Sequence, residues 1–459
     1  MSGGPALGGN GSRVNHLPRE LFSRLFGLSM IAHVVGNYGQ PDIPRLVGWA
    51  NLIVGLLGLL LTLLPERVLL LAASFATLAS VALEMPVTGN HWLLAGFVSL
   101  AVLVGRGKYE QYGGTLRWMF VIFYGFAAFA KVNRGFFDPT TSCAVFYANE
   151  GLSALGLPTI PGGSLLREIT IWTTVLAELA VVPLLLTRRT RYAGVVLASA
   201  FHVMISFDLG QHFYDFTSVL LCLLVLFLPK EAMIRLKRLS LFARFNPRVG
   251  SAVWLIVGAV LVVLAVTPVA RNSNGVLQSL PFLLWIPFGV IWIWWLVRGW
   301  SPSREKIMTT NAAGVVLLAI VAANGVAPYL ELKTAQGFNM YSNLLTAAGE
   351  TNHLVIPRTL PMRDGYEGPV RIIESSDAGL ELYADLGYLV AYPELRRFLS
   401  ERPDTSLTYE RFGQRISLSR AREVSELVDS GPWWWRFLPL RSLDRQTPPR
   451  CQAVFLPAL

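Results

Sequence analysis

The sequence predicts an all-α polytopic membrane helical bundle of about 10–11 spans, followed by a small C-terminal α+β extracytoplasmic domain. Three observations lead there. Hydrophobic residues make up 53% of the 459 and charged residues only 15%, against roughly 25% charged in an ordinary soluble domain. Mean hydropathy is +0.48, and the apolar residues gather into segments of spanning length. The composition then changes abruptly near residue 330, which divides the chain into a transmembrane part, 1–330, and a tail, 331–459.

The spans follow from length. A helix crosses a bilayer with about 20 mainly apolar residues. Segments 45–64, 67–83, 90–105, 113–131, 168–187, 191–209, 213–229, 249–269, 281–298 and 312–330 qualify. Segment 21–36 is shorter and contains Arg24 and His33. It reads either as an eleventh span or as an amphipathic helix at the interface. The N-terminus is polar and lacks the pattern of a cleavable signal peptide.

The net charge of +10 lies in the apolar part: residues 1–330 carry 24 Lys+Arg against 13 Asp+Glu, and residues 331–459 carry 15 against 16. Sixteen basic residues fall in or beside one alternating set of loops, among them Arg67, Arg106, Lys108, Arg188, Lys230, Arg235 and Arg298; the other set holds five, Arg45, Lys131, Arg134, Arg167 and Arg271. By the positive-inside rule the first set is cytoplasmic, and the tail lies on the far side. The expected location is integral and multi-pass, in a bacterial inner membrane. Basic charge that serves topology leaves no patch for nucleic acid, so that partner class is excluded.

The tail reads as mixed α and β. Strand-like stretches are His353–Ile356, Val370–Glu374, Ser406–Phe412 and Arg415–Leu418; helix-like ones are Pro393–Arg402 and Ser419–Asp429. The Trp433–Trp435 run fits equally a domain core or the membrane interface.

Ionisable groups at or inside spans are functional candidates because the bilayer penalises them. His91 stands at an outer edge, in Thr88-Gly89-Asn90-His91-Trp92, and Lys131 ends the helix FYGFAAFAK. Among Phe123, Tyr124, Phe126 and Phe129, a neutral Lys131 amine is a usable base. The competing reading is a lysine that snorkels to water. His91 reads equally as a plain interfacial histidine. Glu178 and His202 fall at similar depth on consecutive spans, which makes them a candidate hydrogen-bonded pair. The backbone freed by Pro183 is the alternative partner for Glu178. The six histidines, 16, 33, 91, 202, 212 and 353, show no tight metal spacing, so no metal is expected. Glycine-rich phosphate loops, HExxH, CxxC and the G-x-S-x-G elbow are absent from the sequence, which weakens hydrolase, kinase and zinc-protease readings.

Three stretches in order carry a resemblance. They are Asn90-His91, the segment FAAFAKVNRGFFDP over Phe126–Pro139, and HVMISFDLGQHFYDFTSVLLCLLVLFLP over His202–Pro229. The chain resembles the HTTM superfamily, the membrane module of the vitamin K-dependent gamma-carboxylases, over most of residues 20–345. Tyr329–Ser342 resembles the segment after the last span in bacterial members. The resemblance implies an active site at the extracytoplasmic membrane face. Lys131 would be the base on reduced vitamin K or a related quinol, with His91 as the hydrogen-bonding stabiliser of the oxyanion. Asn90, His202 and Glu178 would line the cofactor, and Leu209, Gly210 and Phe213 match the family stretch. Oxygen, and CO2 with a protein or peptide glutamate if carboxylation occurs, would be co-substrates. The alternative is a non-catalytic membrane scaffold or lipid-handling protein whose outer domain binds a partner. A transporter would want paired broken-helix repeats, and the sequence shows none.

Three cysteines remain. Cys222 lies inside a span as a small packing residue. The topology puts Cys143 and Cys451 on one, oxidising side. They read either as a disulfide or as two unrelated thiols.

Overall fold

A computed structural model describes residues 17–36, 45–207, 213–239, 247–266, 276–301, 307, 309–444 and 446–451. Helices dominate, and each of the ten expected segments is helical over most of its length. Among the described residues, six helical stretches are long and apolar enough to cross a membrane: Leu46–Leu63, Arg67–Glu84, Tyr109–Ala130, Leu165–Leu186, Pro281–Arg298 and Ala312–Leu330. That is consistent with a multi-pass membrane protein. Asn90–Val104, Arg191–Ile205 and Tyr214–Phe227 are apolar helical stretches that fall short of spanning length.

The chain forms two units. The first comprises residues 1–83, 91–121 and 180–318; the second comprises 84–90, 122–179 and 319–459.

In the first unit, helix α1 (Leu17–Gly36) packs along α2 (Arg45–Leu63) and against the helix Tyr214–Leu224. Its side chains are buried nearly throughout, with Phe22, Phe26 and Met30 sealed from solvent. Segment 21–36 is therefore an interior helix of this unit and not one lying on a surface. Two glycines set its closeness to α2: a Cβ on Gly27 would stand 2.6 Å from the Gly58 carbonyl oxygen, and one on Gly58 would stand 2.7 Å from that of Gly27. Only small residues let helix backbones approach so far. Arg24, awkward for a span, caps its neighbour: Nη1 donates to the Thr62 carbonyl at 2.6 Å. The last turn of a helix leaves such carbonyls without intrahelical donors. Arg117 is likewise buried, donating Nε to the Leu226 carbonyl at 2.7 Å.

The second unit carries the tail. Its five-stranded antiparallel sheet has the order β6-β5-β3-β4-β7. Here β1 (Thr346–Ala347) and β2 (Glu350–Thr351) pair with each other apart from this sheet, in which β3 is Val370–Ser375, β4 Tyr388–Val390, β5 Leu407–Arg411, β6 Gln414–Leu418 and β7 Leu443–Asp444. Phe412 and Gly413 join β5 to β6 with φ of 51° and 74°; two left-handed residues match the twist of a tight hairpin. A helix over Ala378–Leu386 starts at Asp377, whose carboxylate accepts from the Gly379 and Leu380 amides, and ends on Gly387 at φ 70°. Val370, Ile372, Leu380, Tyr383, Leu395, Leu399 and Leu407 form the core beneath.

Two expectations for the tail change, and one open alternative is narrowed. His353–Ile356 makes one bridge, His353 to Asn133, instead of a strand. Ser419–Asp429 forms two short 3-10 turns, Ala421–Glu423 and Ser425–Val428, not an α-helix; β-branched Val424 between them is extended. Trp433 and Trp434 lie outside the core, 76% and 46% exposed, while Trp435 stacks under the Arg363 guanidinium at 4.6 Å.

Candidate functional site

Lys131 stands just past the helix Tyr109–Ala130, and the tail holds this helix end in place. The Arg134 amide donates to the Asn352 carbonyl at 3.0 Å, and the Leu354 amide to the Val132 carbonyl at 3.0 Å. Asn133 is buried. Its Oδ1 accepts from the Phe136 amide at 2.9 Å, capping the short helix Arg134–Phe137. Its amide donates to the carbonyls of Ala130, at 2.8 Å, and Ser342. His353 Nδ1 accepts from the Val355 and Ile356 amides, at 3.0 and 3.1 Å. That leaves Nε2 to donate to the Phe129 carbonyl, 3.0 Å away. The ring is thereby neutral with its proton on Nε2, and burial holds His353 below its ordinary pKa.

Lys131 is 7% exposed and so is Glu178. Lys131 Nζ lies 2.9 Å from Glu178 Oε2. Nζ also approaches the Ala127 carbonyl at 3.4 Å. Glu178 projects from the helix Leu165–Leu186. Its partner is therefore Lys131, and the expected Glu178–His202 pair is corrected. Two groups too costly to bury singly are tolerable together, because each neutralises the other. The snorkelling reading of Lys131 fails on the same grounds: the amine is turned to a carboxylate, not to bulk water.

His91 belongs to the first unit. Its Nε2 lies 2.8 Å from Asp215 Oδ2, and His33 Nδ1 lies 3.0 Å from the same oxygen. The three side chains come from three helices, and their ligand atoms all lie within 4.8 Å of one another. Trp92 stacks on the His33 ring at 3.6 Å between centroids. Phe216 sets its edge against His91 at 5.9 Å and His202 at 5.1 Å. Two imidazoles and a carboxylate are a donor set able to hold a divalent transition-metal ion. The spacing of the histidines gives no hint of it. Asp215, inside FYDF, does carry a signal, since a carboxylate in an apolar stretch stands out by itself, but its histidine partners are distant in sequence.

Asn90 serves the second unit, where its Oδ1 accepts from the Phe338 amide at 2.8 Å. His202 is buried, and its carbonyl accepts from Thr217 Oγ1 at 3.0 Å. Leu209, Gly210, His16 and His212 lie outside the described residues.

Lys333 is a further residue that sequence reasoning does not single out. It lies three residues past the helical turn Ala327–Leu330 and is 4% exposed. Burial lowers its pKa from the ordinary 10.5 to about 7. Its one local signal is a lysine set between Leu332 and Ala335. Near it, Glu331 accepts from the amides of Ala348 and Gly349 at 2.8 and 2.7 Å and from Thr359 Oγ1.

No protein-family model matches the chain, and no curated protein or solved structure matches it either.

Proposed function

We propose that the chain is an integral membrane enzyme of the HTTM type that uses Lys131 as a base on a reduced quinone. The buried Lys131–Glu178 pair carries this reading, with Nζ and Oε2 2.9 Å apart at the end of an apolar, aromatic helix. Moving one proton from Nζ to the Glu178 carboxyl leaves a free amine without changing the net charge of the pair. That amine accepts the proton of an approaching hydroxyl, and Glu178 holds its own until the site resets. Phe126 and Phe129 flank the helix end with the apolar surface that a lipid quinol requires. A bound quinol supplies an acidic hydroxyl and, once deprotonated, reactivity toward O2. In the carboxylases that the chain resembles, this oxygenation is coupled to gamma-carboxylation of a glutamate with CO2.

The same reading puts Lys131 and the tail on the extracytoplasmic face. The sixteen-to-five split of loop charge supports it. So does the Cys143–Cys451 disulfide between the 132–167 loop and the tail, since such bonds persist outside a reducing cytoplasm. A reporter active only in the cytoplasm, fused after Leu459, stays silent on this topology; a strong signal overturns it.

The test of chemistry is quinol turnover by the purified full chain in nanodiscs. Wild type converts reduced quinone to its epoxide. Lys131→Arg keeps a cation beside Glu178 but cannot supply a neutral amine near neutral pH. It should abolish turnover while the protein stays folded and inserted. Turnover retained by Lys131→Arg removes the base assignment, and a wild type without turnover removes the quinol reading.

One observation favours the non-catalytic alternative, a membrane scaffold whose outer domain binds a partner. Trp433, Trp434 and Phe412 present large exposed rings on the tail, and rings of this size are common anchors at interfaces.

A further inference from the structure

We propose that His33, His91 and Asp215 bind one divalent first-row transition-metal ion, such as Zn2+ or Fe2+, as a two-histidine, one-carboxylate site with open coordination positions. The inference is independent of the role assigned to Lys131.

Geometry comes first. With bonds of about 2.0–2.2 Å, adjacent ligand atoms around such an ion stand about 3–4 Å apart. Here His33 Nδ1 and His91 Nε2 stand 3.0 and 2.8 Å from Asp215 Oδ2, and the whole set fits within 4.8 Å. A shift of a few tenths of an ångström at each side chain admits the ion.

The second observation is independent of that spacing. Both imidazoles converge on Oδ2, while Asp215 Oδ1 has no hydrogen-bond partner among the described residues. Asp215 is 6% exposed, and no lysine or arginine pairs with it among the described residues. Buried carboxylate oxygens are ordinarily satisfied by a donor or a cation. With both rings neutral, the trio carries a net negative charge in an apolar bundle. A divalent cation more than offsets that charge, takes the imidazole nitrogens as ligands, gives the bare oxygen a partner and leaves one positive charge for an anionic or hydroxide ligand at an open position.

Third, the rings are held before any ion arrives. Trp92 lies flat on His33, and Phe216 sits edge-on to His91. Fixed ring orientation is what a metal site needs from the surroundings of its ligands. Three protein ligands leave positions for water or a substrate oxygen, the arrangement of reactive rather than purely structural sites.

The experiment uses the full chain purified in detergent. After dialysis, elemental analysis should find about one equivalent of zinc or iron per chain. Chelator-treated protein should then take up Co2+ with a visible absorption band and an upward shift in melting temperature, because a ligand that binds only the folded state stabilises it. Asp215→Asn and His33→Gln should each lower Co2+ affinity at least tenfold while eluting as monodisperse protein. Failure of wild type to retain metal or to bind Co2+ overturns the proposal, and the trio is then a proton-sharing hydrogen-bond cluster. Metal kept at wild-type affinity by the Asp215→Asn, His33→Gln double variant also overturns it. Should the variants aggregate, the wild-type Co2+ spectrum and its loss to chelator decide the question.

Discussion

Glu178 meets Lys131 inside the second unit, its Oε2 2.9 Å from Nζ, with both side chains almost sealed from solvent. Neither group forms another ion pair among the described residues, so each depends on the other. Removing one partner of a buried pair typically costs about 3–5 kcal/mol, because the survivor is left charged and uncompensated. Lys131→Met and Glu178→Leu should each destabilise on that scale. The double variant should lose clearly less than the sum. Thermal unfolding in one detergent checks this, and strict additivity would show the pair to be uncoupled.

Cys143 and Cys451 are bonded to each other across a sequence separation of 308, while Cys222 is a free, buried thiol. Labelling the denatured, non-reduced protein should find one thiol, rising to three after reduction. In the chain-entropy account a closure of this length contributes at most about 6 kcal/mol. Cys143→Ser should therefore lower the melting temperature and loosen the tail to protease, with cleavage first appearing beyond Leu443.

Lys333 makes stability depend on pH. The unfolded chain keeps this proton to near 10.5, whereas the folded chain releases it near 7. Between those values the unfolded state binds more protons, so stability rises with pH. Wild type should gain a few kcal/mol, about the scale of a shift of this size, between pH 7 and 10. Lys333→Met should flatten that rise and be the more stable protein at pH 7. An unchanged slope in the variant would assign the effect to other groups.

Asn133 makes four polar contacts, two local, with Phe136 and Ala130, and two that join the turn after Lys131 to the tail, with Ser342 and Asn352. Asn133→Asp keeps the helix cap but loses both donated bonds; Asn133→Ala loses everything. The expected cost is about 1–3 kcal/mol for the first, since buried carbonyls are left bare, and more for the second. Hydrogen exchange should rise at Arg134 and Leu354, whose amides bond across this junction. Equal melting temperatures for wild type and Asn133→Ala would exclude the role.

Local and distant relationships in this chain differ in how far the sequence reveals them. Helix positions depend on local apolar runs, which is why segments such as 67–83 and 168–187 reappear as Arg67–Glu84 and Leu165–Leu186. The hairpin of β5 and β6 is equally legible, because alternation and a Phe-Gly turn are neighbouring residues. The cost of an ionisable group in an apolar stretch is also local, so Lys131, Glu178, His91 and His202 stand out one by one. Partnership is not local. Depth along the chain matches Glu178 to His202, but depth says nothing about which face a side chain turns. Asp215 stands out in FYDF, but nothing beside it names His33 and His91 as its partners, and little beside Lys333 shows that its amine is stripped of water. Only the packing of helices distant in sequence decided which charges would be buried, and beside what. Composition and periodicity determined that this chain would build apolar helices and a small mixed tail; tertiary structure alone decided which of its costly groups answer one another.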